Sequence, residues 1–117
     1  MKASSTVFVV DDDQAVRDSL SLILTVAGWQ VQCYASAEEF LQTYDGVRVG
    51  CLLLDVRMPG MSGLEMQKQL NERDISLPII FLSGHADVPT SVSAMRAGAV
   101  DFLEKPFRKE DLIERIG

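Results

Sequence analysis

Five short apolar runs, each followed by a stretch of helical spacing, constrain this chain more than any other feature of its sequence. Thr6 to Val10 (TVFVV) is β-branched and apolar, which suits a strand buried on both faces. From Gln14 to Ala27 the residues Val16, Leu20, Ile23, Leu24 and Ala27 follow helical spacing, with Gly28 as a stop. Gln30 to Tyr34 reads as a second strand. Ser36-Ala37-Glu38-Glu39 then fits a capping box, opening a helix that buries Phe40, Leu41 and Tyr44. Cys51 to Leu54 is a third strand. Ser62-Gly63-Leu64-Glu65 is a second capping box, with Met61 and Met66 placed as a hydrophobic staple. Leu77 to Leu82 is a fourth strand. Asp87 and Pro89 open a helix with Val88, Val92 and Met95 on one face, closed by Gly98. Ala99 to Leu103 is a fifth strand, and a last helix starting at Lys109 buries Leu112, Ile113 and Ile116.

Strands that alternate with helices in this way demand a parallel sheet covered on both faces. Right-handed crossovers make a doubly wound α/β sheet the simplest solution, and 2-1-3-4-5 is one common order. Periodicity alone does not choose that order.

Composition narrows the function classes. The 117 residues suit one domain, and 47% hydrophobic with 24% charged residues is ordinary globular usage. Seventeen acids against eleven bases leave a formal charge of −6, a poor match for nucleic-acid phosphates. No apolar run approaches the roughly 20 residues that span a bilayer. The polar start Met1-Lys2-Ala3-Ser4-Ser5 has no apolar signal core behind it, so a cytoplasmic chain without membrane contact is expected. Cys33 and Cys51 both sit in apolar stretches and are expected as small buried core residues, reduced and unpaired.

The chemistry gathers where the apolar runs end. Asp11, Asp12 and Asp13 follow the first run, Asp55 the third, Ser83 the fourth, and Glu104 and Lys105 the fifth. Open α/β sheets bind ligands outside the carboxyl ends of their strands, where the strand order reverses. With the first and third strands adjacent, Asp11, Asp12 and Asp55 converge. Three carboxylates so placed raise one another's pKa unless a cation neutralises them. Mg²⁺ suits one or two carboxylates, waters and a phosphate. Lys105 then offers a point charge and Ser83 a hydrogen bond to phosphoryl oxygens. Carboxylate, metal, lysine and hydroxyl together make a phosphoryl-transfer site with the carboxylate as nucleophile.

Each piece alone has a plainer reading. Asp13 is expected as the N-cap of the first helix, Ser83-Gly84 would be a turn, Lys105-Pro106 a strand end, and His85 a loop histidine with no chemistry. Four such positions on four strand ends favour the joint reading.

VVDDD at 9–13, LLLDVRMPGMSG at 52–63, FLSGHAD at 81–87 and AVDFLEKPF at 99–107 resemble the receiver domains of two-component response regulators. GHADVP and MRAGAVDFLEKPF resemble most the FixJ-like subgroup, whose receivers precede a helix-turn-helix DNA-binding domain. The resemblance covers essentially the whole chain. It implies the flavodoxin-like (βα)5 fold with order 2-1-3-4-5. It further implies Asp11 and Asp12 as the acidic pair, Asp55 as phosphoacceptor, Ser83 as switch hydroxyl and Lys105 as the phosphoryl-binding lysine. Arg57 would offer its backbone carbonyl to Mg²⁺, with Mn²⁺ as a substitute. Phe102 occupies the aromatic switch position.

A sensor histidine kinase is then the expected donor, and the chain would catalyse its own phosphorylation without being a turnover enzyme. A cis Lys105-Pro106 peptide is expected, on the resemblance and on the need to turn Lys105 back toward Asp55. Residues 87–103 are the expected surface of a phosphorylation-dependent homodimer. The last helix, about eight residues before Gly117, is short against a typical ~11–12. Residues 1–117 are therefore expected to be one receiver cut within or near that helix, with DNA bound only by a further C-terminal output domain. A stand-alone receiver is the alternative. A haloacid-dehalogenase-like phosphatase would need Thr or Val where Ala15 stands. A flavodoxin-like FMN site would need a Ser/Thr/Gly-rich phosphate loop where the acidic triplet lies, and there is no P-loop.

Overall fold

A computed structural model describes residues 6–44, 46, 49–84 and 88–116, with Val88 described in its backbone alone. The order is β1 (Thr6–Val10), α1 (Gln14–Val26), β2 (Gln30–Tyr34), α2 (Ala37–Thr43), β3 (Gly50–Asp55), α3 (Gly63–Glu72), β4 (Ile79–Ser83), α4 (Val88–Arg96), β5 (Asp101–Glu104) and α5 (Lys109–Ile116). All pairings are parallel, in the order β2-β1-β3-β4-β5. This is the doubly wound, flavodoxin-like sheet that the alternation and the motifs implied.

The continuous apolar runs are explained by two-sided burial, since successive residues of one strand feed opposite cores. Phe8, Val10, Leu52, Leu54 and Phe81 pack under α2 and α3 with Phe40, Met66 and Leu70. Val7, Val9, Leu53, Ile80 and Leu82 pack on the other face with Leu20 and Leu24 of α1 and Leu112 and Ile116 of α5. Ile113 of α5, expected in the core, is half-buried. No described helix is long and apolar enough to cross a membrane.

The ends of the helices are set by side chains the sequence displays. Asp13 is the N-cap of α1, accepting from the Ala15 amide at 2.9 Å. Ser62 and Glu65 complete the capping box at α3, at 3.2 and 3.1 Å, and Met61 packs on the same core as Met66. The Ser36 box is half made. Ser36 accepts from the Glu39 amide at 3.1 Å, but the Glu39 carboxylate takes the Ala35 amide instead of its own cap residue. Replacing Ser62 with Ala is expected to cost about 1 kcal/mol, which a thermal melt would register as roughly 3–5 °C; an unchanged midpoint would mean that the cap does not hold α3.

Three expectations are corrected. Cys51 is buried, and burial pushes its thiol up to about 11. Cys33 is exposed, because β2 lies at the edge of the sheet and turns most of its residues outward. The fourth strand begins at Ile79 rather than Leu77, and the fifth at Asp101 rather than Ala99. The Ala99 amide is taken by the carbonyl of Ala94 at the end of α4. The expected helix start at Asp87 and the loop residue His85 lie outside the described residues.

Candidate functional site

The sheet itself assembles the site. Val10 of β1 pairs with Leu54 of β3, so the next residues, Asp11 just past β1 and Asp55 as the last residue of β3, stand side by side at the end of the sheet. Asp55 pairs with Leu82 of β4, one residue short of Ser83, and Ser83 pairs with Glu104 of β5, one short of Lys105. Four strand ends thus deliver Asp11, Asp55, Ser83 and Lys105 to one edge.

Local geometry holds each of them. Asp11 is fully buried, and one of its carboxylate oxygens accepts from the Asp13 amide at 2.9 Å. The other accepts from Lys105 Nζ at 2.9 Å, and the same ammonium lies 3.5 Å from Asp55 Oδ1. The Lys105-Pro106 peptide is cis, as expected. The Lys105 amide donates to the Ser83 carbonyl at 2.6 Å, and Ser83 is buried. Asp12 and Arg57 are exposed at the rim. Phe102 is half-buried on the core, its ring centroid 6.2 Å from that of Phe81.

Three neighbours went unread in the sequence. Arg17 reaches back from α1 and donates to the Asp11 carbonyl at 2.7 Å, fixing the turn that carries the acidic pair. An arginine seven residues beyond a strand end, on the first turn of the next helix, is the only sequence signal for that contact. Gly63 begins α3 directly against the Asp55 carbonyl and the Phe81 ring, where an added Cβ would collide with backbone. Glu38 of α2 accepts from the Met61 amide at 3.4 Å and so touches the loop that follows Asp55.

Electrostatics follow from this crowding. Burial, then the charge of Asp11, pushes the Asp55 carboxyl up to about 6 against the pull of Lys105. Burial works against the Lys105 ammonium, but its bond to Asp11 and the charges of Asp11 and Asp55 outweigh it and raise its pKa. Asp55 is a carboxylate held near the border of ionisation, a state common at reactive positions.

Oxygens of Asp11, Asp12 and Asp55 lie within 4.8 Å of one another. A hard octahedral cation with bonds of about 2.1 Å sets its ligands roughly 3–4 Å apart, so small adjustments let these oxygens share one ion. The donor set is all oxygen and anionic, which suits a hard divalent cation. The acidic pocket can hold a metal ion.

On the far side of Ser83, α4 and the segment after it present Val92, Met95 and Val100 to solvent, 41%, 45% and 55% exposed. Those apolar side chains are not core.

The family model of the response regulator receiver domain matches residues 7–117. The chain is 50% identical over 112 residues to the response regulator protein TmoT of Ectopseudomonas mendocina, covering 96% of this chain and 51% of that protein. It is likewise 50% identical over 111 residues to the transcriptional regulatory protein FixJ of Rhizobium meliloti (strain 1021), covering 95% of this chain and 54% of that one. Among solved structures it is similar to FixJ-N, with a TM-score of 0.91 and 48% identity over 99% of this chain and 92% of that chain. The response regulator StyR matches at a TM-score of 0.91 and 47% identity, over 97% and 57% of the respective chains. The chain spans about half the length of the curated relatives it matches.

Proposed function

This chain belongs to the response regulator receiver family, and from that premise we propose that Asp55 accepts a phosphoryl group from the phosphohistidine of a sensor kinase. The observation that carries the reading is the setting of the Asp55 carboxylate. It lies buried at the end of β3, 3.5 Å from the Lys105 ammonium and beside the acidic pair. A carboxylate oxygen of Asp55 attacks phosphorus in line, and the new O–P bond forms as the P–N bond breaks. The electron pair stays on the ring nitrogen of an imidazole already protonated at its other nitrogen, which leaves neutral. Such a displacement needs positioning and charge neutralisation more than acid–base help.

Asp11, Asp12, the Asp55 carboxylate and the backbone carbonyl of Arg57 would hold Mg²⁺, or Mn²⁺ in its place. When bound, the ion supplies positive charge to the phosphoryl oxygens. Lys105 neutralises a further phosphoryl oxygen, and the Ser83 hydroxyl donates to another. The chain promotes its own modification once per phosphoryl group and does not turn over as an enzyme.

The output rests on Ser83 and Phe102. Drawing the Ser83 hydroxyl toward the phosphoryl group opens room for the half-buried Phe102 ring to turn inward. Exposed Val92, Met95 and Val100 then lie beside a changed surface, which supports a phosphorylation-dependent homodimer through residues 87–103. Control of transcription in the cytoplasm would fall to the part of the protein that corresponds to the other half of its relatives, which alone would touch DNA.

Incubation with phosphoramidate and Mg²⁺ tests the reading by intact mass. One added phosphoryl group, lost in EDTA, is expected. The same sample should sediment as a dimer at tens of micromolar, and an unchanged sedimentation coefficient would remove the dimer from the proposal.

A further inference from the structure

Helix α4 is held to the fold by little apolar area. Of its described side chains only Ala94 is fully buried, while Val92, Met95 and Arg96 face solvent. Its last carbonyls accept from the backbone amides that follow, Ala97 on Ser93, Gly98 on Met95 and Ala99 on Ala94, and the neighbouring helix adds two bonds to this end. Gln67 of α3, 2% exposed, donates through Nε2 to the Ala94 carbonyl at 2.9 Å. One turn further along α3, Asn71 Nδ2 donates to the Ala97 carbonyl at 3.0 Å. Helix geometry leaves the final carbonyls of any helix without an internal partner. Here the Ala94 carbonyl accepts the Ala99 amide at 3.0 Å, and the two side-chain amides at i and i+4 of α3 add a second bond to it and one to the Ala97 carbonyl just beyond the helix.

These two bonds act differently from apolar packing. Apolar side chains can slide past one another at small cost. A buried amide that loses its partner is left unsatisfied in the core, which costs more than the bond itself contributes. Gln67 therefore resists any shift of Ala94 relative to α3. Helix α3 is itself fixed to the phosphoacceptor strand, since the Gly63 amide donates to the Val56 carbonyl at 2.9 Å and Met66 and Leu70 are buried. The opposite end of α4 follows Ser83 in the chain after four residues. Its first turns carry Pro89 and Val92 exposed and Thr90 and Ser91 half-buried.

We propose that Gln67 and Asn71 are positioning residues that make the C-terminal end of α4 a fixed pivot, so that displacement at Ser83 tilts its first turns and leaves its last turn in place. The pivot rests on the reading of Asp55 as phosphoacceptor and adds how the signal is shaped. A helix pinned at one end converts a small pull at the other into a change of angle. An unpinned helix would shift as a whole, or slip.

Two-dimensional NMR of the ¹⁵N-labelled protein, with beryllofluoride and Mg²⁺ as the phosphoryl mimic, tests this. In the wild type the backbone amides of Ser91 and Val92 are expected to shift, while the side-chain NH₂ pairs of Gln67 and Asn71 stay within a linewidth. Gln67→Met keeps the volume and removes the donor, and the shifts should then extend through Met95 to Ala99. Asn71→Ala, at an exposed position, should extend them to Ala97 and serves if the core variant does not fold. Movement of the Gln67 NH₂ pair in the wild type as large as that of the Val92 amide would overturn the pivot alone. So would variants whose shifts match the wild type. No shift of any resonance on adding beryllofluoride would take down the phosphoacceptor reading and the pivot with it.

Discussion

Replacing Asp55 with Asn is expected to leave a folded protein that takes no phosphoryl group from phosphoramidate. Asn has the size of Asp and fills the same buried position at the end of β3, 7% exposed, where its carbonyl still faces Lys105. What it lacks is the anionic oxygen that would attack phosphorus, so the phosphoform should fall below detection in intact mass. Asp12→Ala removes one oxygen from the acidic pocket while keeping the acceptor. Phosphorylation of that variant should need at least the roughly ten- to hundredfold more Mg²⁺ that loss of a supporting partner costs a metal site. The two variants separate nucleophile from charge: the first fails at any Mg²⁺ concentration and the second recovers as Mg²⁺ is raised. A full phosphoform in Asp55→Asn would move the acceptor to another carboxylate and end the assignment.

Much of this site was legible because strand ends are legible. Apolar runs that stop at Val10, Leu54 and Leu82 announce where the sheet ends, and the residues directly beyond are Asp11, Asp55 and Ser83. In a parallel sheet all such ends lie on one edge, so the chemistry could be gathered before the register was known. Strand order was not readable from periodicity, because a run buried on both faces looks the same in the centre and next to it. The motifs supplied the order. Cys33 was misplaced although that order already put β2 at the edge of the sheet, because an apolar stretch was read as core without asking which strand carried it. The start of β5 was misplaced for a different reason. Ala99 and Val100 look like strand residues, yet the Ala99 amide completes the turn that ends α4. Gln67 was passed over because a glutamine among Leu64, Met66 and Leu70 reads as a solvent position until its partner on α4 is known. Long-range polar bonds of this kind leave almost no local trace. Arg17 and its bond to the Asp11 carbonyl belong to the same class.

In EDTA, the wild-type protein is expected to lose stability between pH 4 and pH 7 relative to Asp55→Asn, and Mg²⁺ should restore it at the upper end. The Asp55 carboxyl is raised from 3.8 to about 6, first by burial and then by Asp11. A carboxyl raised in the folded state binds its proton more tightly there than in the unfolded chain. Its contribution is therefore fully present below the unfolded value near 4 and is lost as pH rises through about 6. A shift of that size corresponds to roughly 2–3 kcal/mol, or on the order of 10 °C in the melting midpoint for a domain this small. Other carboxylates titrate in the same window, so the informative quantity is the difference between wild type and Asp55→Asn at each pH. That difference should grow in favour of the variant up to pH 7 and then level off. Mg²⁺ would bind the ionised carboxylates and compete with the proton, so its stabilising effect should be small at pH 5 and largest above pH 7. A ligand bound only by the native state adds about 2.7 kcal/mol at a hundredfold excess over its dissociation constant, enough to cancel most of the loss. Asp55→Asn should gain much less from the ion, because one of its three carboxylates is gone. Parallel melting curves for the two proteins across this pH range, or an equal Mg²⁺ shift at pH 5 and pH 8, would show that the strain among Asp11, Asp12 and Asp55 is not what the ion relieves.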